Sequence, residues 1–262
     1  MKQQIVGMLA ETFVHPGSGQ NTGAIDLPVA REAATDYPFM AGSSLKGALR
    51  ADYGNKEAAE KIFGKQQNAG NLLVSDARLL LLPVRSLSSA YKWVTSPHLL
   101  ERLKRDTERS GQAASFDLPN VEDKGALSQD SGKLFLEERS FEVSEEPGDN
   151  LVEMLGQLIL HDSTRNRLPE QLTIISDDAF SWFARYGLAI QARNVLTDQK
   201  TSKNLWYEET LPPDTLMYTV LAERNGDALH KVREANNGYL QAGGNETVGQ
   251  GWFALSWKEA SS

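Results

Sequence analysis

Residues 15–50, HPGSGQNTGAIDLPVAREAATDYPFMAGSSLKGALR, join a glycine-rich loop to a helix start, and the rest of the chain is read outward from them. The loop carries one histidine, His15, and one aspartate, Asp26. Gly17, Gly19 and Gly23 let the backbone reach positive φ and let another molecule approach closely. Asp26-Leu27-Pro28-Val29 is expected to be extended, because the residue before a proline disfavours helix. Gly42-Ser43-Ser44 then leads into a helix bearing Lys46 and Arg50, four residues apart and so on one face. A serine N-cap is expected, with first-turn amides aimed at whatever lies in front of the helix, a position that suits a phosphate. Lysine in a first turn opposes the helix dipole unless an anion sits nearby. The two halves suggest an aspartate placed for chemistry and a helix start that holds phosphates. Ordinary solvated helix charges are the plain alternative for Lys46 and Arg50.

On either side the chain alternates strands and helices. Ile5 to Phe13 reads as a strand in a covered sheet. Asn71 to Leu82 reads as one buried strand whose Leu79–Leu82 run stops at Pro83. His98 to Arg109 is a helix with Leu99, Leu100 and Leu103 on one side. Residues 110–150 form a polar, peripheral insertion with short strands such as Lys133 to Leu136. A helix over Leu151 to His161, a strand at Leu172 to Ser176 and a helix over Asp177 to Tyr186 follow. Gly187 to Leu211 is a long hairpin with a polar tip, TDQKTSK; its low apolar content makes it a protruding one. A strand at Leu216 to Leu221, a short helix within 227–241 and a closing strand at Trp252 to Trp257 complete the chain. The glycine-rich GGNETVGQG, 243–251, neither follows a strand to open a helix nor ends in Lys-Ser/Thr, so dinucleotide and P-loop readings are disfavoured.

Net charge is −8, which taken alone argues against a nucleic-acid binder. The charge is unevenly spread. Residues 1–100 carry 10 Lys+Arg against 8 Asp+Glu, whereas 101–180 carry 9 against 18. The first hundred residues can therefore still present a positive surface. The acidic block reads as a solvated face. No apolar run approaches a membrane span. Without cysteine there are no disulfides or thiolate sites, which fits a reducing cytoplasm. His98, His161 and His230 are too dispersed for a metal cluster; Glu208 and Glu209 are either a carboxylate pair at a site or, flanking a hairpin base, structural, the reading preferred.

Five segments, in order, resemble the RAMP superfamily of CRISPR proteins, and within it the backbone subunits of type III-B (Cmr) effectors. They are the 15–32 loop with IDLPVARE, GSSLKGALR (42–50), DARLLLLPVRS (76–86) followed by WVTSPHLLERLKRD (93–106), LWYEETLPPDT (205–215) and GGNETVGQG (243–251). Residues 110–170 match least. The resemblance implies an α+β fold made of one RAMP domain. Its parts would be a ferredoxin-like (RRM-like) palm over about 1–85 and 171–262, helical fingers over about 86–170 and a β-hairpin thumb over about 188–211. It implies copies stacked in a helical filament on CRISPR RNA (crRNA) with other Cmr subunits. Complementary target single-stranded RNA would be cut at six-nucleotide intervals with Mg²⁺ or another divalent cation. Asp26 would be the catalytic and possible metal-holding residue. His15 is the candidate acid or base, with a loop histidine packed on the sheet edge or touching RNA the favoured alternative. Ser43, Ser44, Lys46, Arg50, Arg193, Lys200, Gly243, Gly244, Gly249 and Gly251 would face RNA. A guide-binding subunit that does not cut, and a guide-processing endoribonuclease of the same superfamily, remain competing readings.

Overall fold

The computed structural model describes residues 1–19 and 23–258. Residues 20–22, within the glycine-rich loop, lie outside the described residues. In chain order the strands and helices are β1 (Lys2–Ala10), β2 (Phe39–Met40), α1 (Gly42–Asp52), α2 (Lys56–Phe63), β3 (Gly64–Lys65), β4 (Asn68–Ala69), β5 (Leu72–Val74), β6 (Ala77–Arg85), β7 (Tyr91–Thr95) and α3 (Pro97–Arg109). Then come β8 (Gly125–Leu127), β9 (Lys133–Leu136), β10 (Arg139–Glu145), α4 (Asp149–Gly156), α5 (Asp162–Arg165), α6 (Leu168–Gln171), β11 (Leu172–Ile175) and α7 (Asp177–Tyr186). The last are β12 (Ala189–Leu196), β13 (Ser202–Thr210), β14 (Leu216–Glu223), α8 (Ala228–Ala235), β15 (Tyr239–Gln241) and β16 (Trp252–Trp257).

One large mixed sheet runs β15-β16-β1-β14-β6-β7-β11-β8-β10-β9, with β2 beside β6 and β5 beside β14. Alternation along its strands feeds two cores. Val6, Met8 and Ala10 of β1 enter one with Met217 and Leu221 of β14, covered by Leu45 and Leu49 of α1 and Phe180 and Phe183 of α7. Ile5 and Leu9 enter the other with Leu216 and Tyr218, covered by Leu100 and Leu103 of α3 and Leu151 and Leu155 of α4. Gly7 lies on that second face, where a Cβ would collide with the Leu158 carbonyl; glycine allows the turn after α4 to cross β1 closely.

Several sequence-based expectations are corrected. The strand expected over Asn71–Leu82 is two strands, broken at Ser75-Asp76. Pro83 does not stop β6, which continues to Arg85 with Pro83 opposite Trp93. The β14 ladder ends at Leu81, so at Pro83 the strand keeps one neighbour, the edge-like setting in which proline is tolerated. The helix expected over Leu151–His161 ends at Gly156. The 110–150 insertion does carry short strands, β9 at Lys133–Leu136 among them, and they join the main sheet through the β8–β11 pair. No helix among the described residues is long and apolar enough to cross a membrane.

The hairpin β12–β13 stands apart as its own two-stranded sheet, paired from Ala189↔Thr210 to Leu196↔Ser202 with a register shift between Val195 and Leu196. Ile190, Leu196, Leu205 and Tyr207 are exposed along it.

Candidate functional site

Three segments distant in sequence converge at the root of that hairpin: the Asp26 loop, β13 and the loop before β16. Val14 and Leu211 exchange two backbone hydrogen bonds, of 3.0 and 2.8 Å. The segment around Leu27 then lies parallel to β13: the Leu27 N–H donates to the Tyr207 carbonyl at 3.1 Å, and the Glu209 N–H donates to the Leu27 carbonyl at 3.0 Å. Pro28 keeps this segment extended, as the sequence implies. Asp26 sits at the start of this added strand. Its side chain is exposed, and its Oδ2 accepts a 2.8 Å hydrogen bond from the Tyr207 N–H. Its other carboxylate oxygen has no partner among the described residues.

Glu208 and Glu209 follow Tyr207 and point to opposite faces, as strand period dictates. Both are buried, at 3% and 4% exposure. Glu208 accepts from the Trp206 indole at 2.7 Å, from Arg193 Nε at 3.1 Å and from Asn245 Nδ2 at 2.7 Å. Burial pushes its carboxyl up, but those three hydrogen bonds and the Arg193 charge together hold it below the usual value. Glu209 accepts from the Val29 N–H at 3.1 Å and from Arg31 at 2.7 Å, while Arg31 also donates to the Ala184 carbonyl. One glutamate thus ties the hairpin to the loop before β16, and the other ties it to the Asp26 loop and α7. The structural reading of the pair holds.

His15 is buried, with Nδ1 at 2.8 Å from the Glu209 carbonyl. Its own carbonyl accepts from the Gly244 N–H at 2.8 Å. The packed-histidine reading is the one the geometry supports. Added Cβ atoms at Gly243 and Gly244 would press on His15, and one at Gly251 would collide with the Ala242 carbonyl. Those three glycines have an internal reason; Gly249 alone faces open space, so the RNA-facing expectation for this loop rests on it. Arg193 is committed to Glu208, and Lys200 sits at the hairpin tip with φ of 60°.

The second region is an open groove of ≈ 720 Å³ beside α1, lined by Gly42, Ser43, Lys46, Arg50, Lys65 and Arg224 among others. Ser44, also exposed, is not part of its lining. The serine cap is not made. Ala41 is the N-cap residue, and the Gly42 N–H donates to Asp76 Oδ1 at 2.7 Å. The Ser75-Asp76 break between β5 and β6 delivers that carboxylate, which takes one of the first-turn amides. Burial, and then the charges of Arg224 and Arg50, hold the Lys46 ammonium below its ordinary value. Arg224 and Asp76 were not legible as partners of α1, and no local pattern marks them.

Among the described residues no group of three or more His, Asp and Glu could hold a metal ion. Glu208 and Glu209, which follow Tyr207, accept hydrogen bonds from Trp206, Arg193 and Asn245 and from Val29 and Arg31 respectively. A single exposed carboxylate at Asp26 therefore fits a divalent ion that keeps most of its waters, as Mg²⁺ does, and does not fit an all-protein cage.

The chain matches the RAMP superfamily over residues 8–254. It is 35% identical to the CRISPR system Cmr endoribonuclease Cmr4 of Pyrococcus furiosus, over 100% of this chain and 98% of that protein. It is 26% identical to the CRISPR system CMR subunit Cmr4 of Saccharolobus solfataricus, over 95% and 94%. Its fold superposes on the crystal structure of oligomeric Cmr4 from Pyrococcus furiosus with a TM-score of 0.80 at 31% identity, covering 100% of both chains. A chain of the type III-B Cmr-beta complex bound to cognate target RNA shares the fold, with a TM-score of 0.78 at 22% identity over 98% of this chain and 97% of that one. With its full length accounted for in these matches, the chain belongs to the RAMP superfamily and, within it, to the Cmr4 family.

Proposed function

We propose that this chain is a backbone subunit of a type III-B CRISPR effector. It stacks with copies of itself along crRNA, alongside other Cmr subunits, and cleaves complementary single-stranded RNA at six-nucleotide intervals. The family relationship supports the class of activity. The observation that carries the assignment of the site is the fastening of the exposed Asp26 to the root of a protruding hairpin. The proposed compartment is the cytoplasm, in keeping with a cysteine-free chain.

In this reading β1, α1, β6, β14, α8 and β16 form a ferredoxin-like palm. Its support is the neighbour order β16-β1-β14-β6, all antiparallel, with α1 and α8 as the two crossovers. Residues of about 86–170 are the fingers, and the 188–211 hairpin is the thumb.

A single carboxylate suffices for this chemistry because RNA carries its own nucleophile. The 2′-hydroxyl attacks the adjacent phosphorus as its proton is lost, and the P–O5′ bond breaks with the 5′-oxygen taking a proton from solvent, giving a 2′,3′-cyclic phosphate and a 5′-hydroxyl. What limits the reaction is alignment, which a strand bent over the thumb would supply. Asp26 orients or accepts the 2′-hydroxyl proton through the oxygen that Tyr207 does not engage. A divalent cation, when bound beside Asp26, would supply charge neutralisation at the phosphate.

The test is cleavage of complementary RNA by the assembled complex carrying Asp26→Asn. Asparagine keeps an acceptor for the Tyr207 N–H and loses the charge. Cleavage should fall by about 10²–10⁴-fold, the usual weight of one acid–base group, with target binding retained. Wild-type cleavage in that variant would defeat the assignment.

A further inference from the structure

We infer that Arg224 is a phosphate-binding residue of the α1 groove, set across it from Lys46, and that its ligand is the phosphodiester backbone of single-stranded RNA. The inference rests on the proposed RNA-binding function and adds to it a residue that no motif marks.

Arg224 is placed by the sheet. Glu223, the last residue of β14, pairs with Leu72 of β5, and the Arg224 N–H donates to the Asn71 carbonyl at 2.9 Å. The residue therefore leaves β14 at the end of β5, where the chain has just come from the β3–β4 turn. Helix α1 packs on the other side of β5, so closely that a Cβ on Gly42 would meet the Val74 carbonyl at 2.6 Å. Strand β5 is the floor of the groove, with Lys46 and Arg50 on one wall and Arg224 on another. A third wall, the β3–β4 turn, carries Gln66, Gln67 and Asn68. It closes against itself through Gly64 and Gly70, whose backbones pack too tightly for any side chain.

The charge arrangement points to a polyanion. In a chain of net charge −8, no Asp or Glu among the described residues lines this groove. Lys65 is paired with Glu60 at 2.8 Å, and Arg50 donates one N–H to the Gly64 carbonyl at 2.6 Å. Lys46 and Arg224 make no ion pair among the described residues. Burial first, and then the like charges of Arg224 and Arg50, depress the Lys46 ammonium. An anion seated between them removes that repulsion. An extended single strand passing through an open groove, rather than a small anion in an enclosed pocket, matches its form.

The experiment titrates the full-length chain with a fluorescently labelled single-stranded RNA at several salt concentrations. Wild type, Arg224→Ala, Arg224→Lys and Lys46→Ala are compared. Each lost phosphate contact on a single strand should flatten the slope of log K against log salt by about 0.7, which makes binding about fivefold weaker at 0.1 M salt. Arg224→Ala and Lys46→Ala should each show that loss, Arg224→Lys should recover the slope, and the melting temperature should not fall in any of them. An unchanged slope in Arg224→Ala with a reduced one in Lys46→Ala overturns the role of Arg224 and leaves the groove's function standing. Unchanged slopes in both variants overturn the groove itself as an RNA seat.

Discussion

The Asp26 carboxylate accepts a 2.8 Å hydrogen bond from the backbone N–H of Tyr207, 181 positions further along the chain. The candidate catalytic group is therefore held at the root of the hairpin by a main-chain donor. Any displacement of the hairpin root carries Asp26 with it.

That coupling makes Tyr207→Pro informative. The Tyr207 N–H bonds to Asp26 rather than to a residue of β12, so proline deletes this one donor at little expense to the hairpin ladder. Cleavage by the assembled complex should fall by about 10²-fold, the effect of misplacing a catalytic group by about 1 Å. Guide binding should be unaffected. Equal loss of guide binding would mean that the hairpin, and not Asp26 placement, has been damaged.

Glu208 predicts a pH dependence. Its carboxyl is held below the ordinary 4.5 in the folded chain. The ionised form is favoured by folding, so its contribution is present above the unfolded pKa and is lost as pH falls through the folded value. Glu208→Gln should lower stability by about 1–3 kcal/mol near neutral pH, the cost of disturbing a buried, charge-assisted hydrogen-bond set. Melting curves of wild type and variant should converge as pH is lowered below about 4.5. A constant difference across that range would contradict the role given to the charge.

Arg31 is the complementary test on the other face. Arg31→Ala leaves Glu209, at 4% exposure, without its cation. Removing one partner of a buried pair costs about 3–5 kcal/mol. Thermal unfolding should report it, and Glu209→Gln introduced alongside should restore part of the loss. No restoration would show that Arg31 acts through its bonds to Ala184 and Asp36 instead.

Gly47 lies inside α1, on its exposed side, with nothing within 4 Å of where a Cβ would be. Glycine there costs the helix about 1 kcal/mol relative to alanine. Its depression adjoins the Lys46–Arg224 groove through Arg50. Gly47→Ala should raise the melting temperature of the free protein and weaken RNA binding. A variant that is both more stable and equally tight in binding would show that no strand passes over this face.

The local reading of the sequence was sharp wherever a pattern is carried by neighbours. Lys133–Leu136, Asp177–Tyr186, the 188–211 hairpin and Trp252–Trp257 follow from alternation, helix-end residues and turn composition within a few positions. The RAMP relationship was likewise legible, because its motifs are short contiguous strings such as GSSLKGALR. Pairing between distant segments was not. Asp76 taking the place of a serine cap, Pro83 tolerated because β14 has ended, Asn245 on Glu208, and Arg224 opposite Lys46 all depend on which strands lie side by side. Periodicity determines which face of a strand is buried; it does not determine which neighbour supplies the hydrogen bond. For this protein the sequence by itself determined most of the longer elements, the family and Asp26 as the residue to watch. The tertiary structure decided that Asp26 accepts from the hairpin's backbone, that His15 is buried against the Glu209 carbonyl, and that Arg224 joins Lys46 in the α1 groove, because those facts arise from contacts across more than 150 residues of intervening chain.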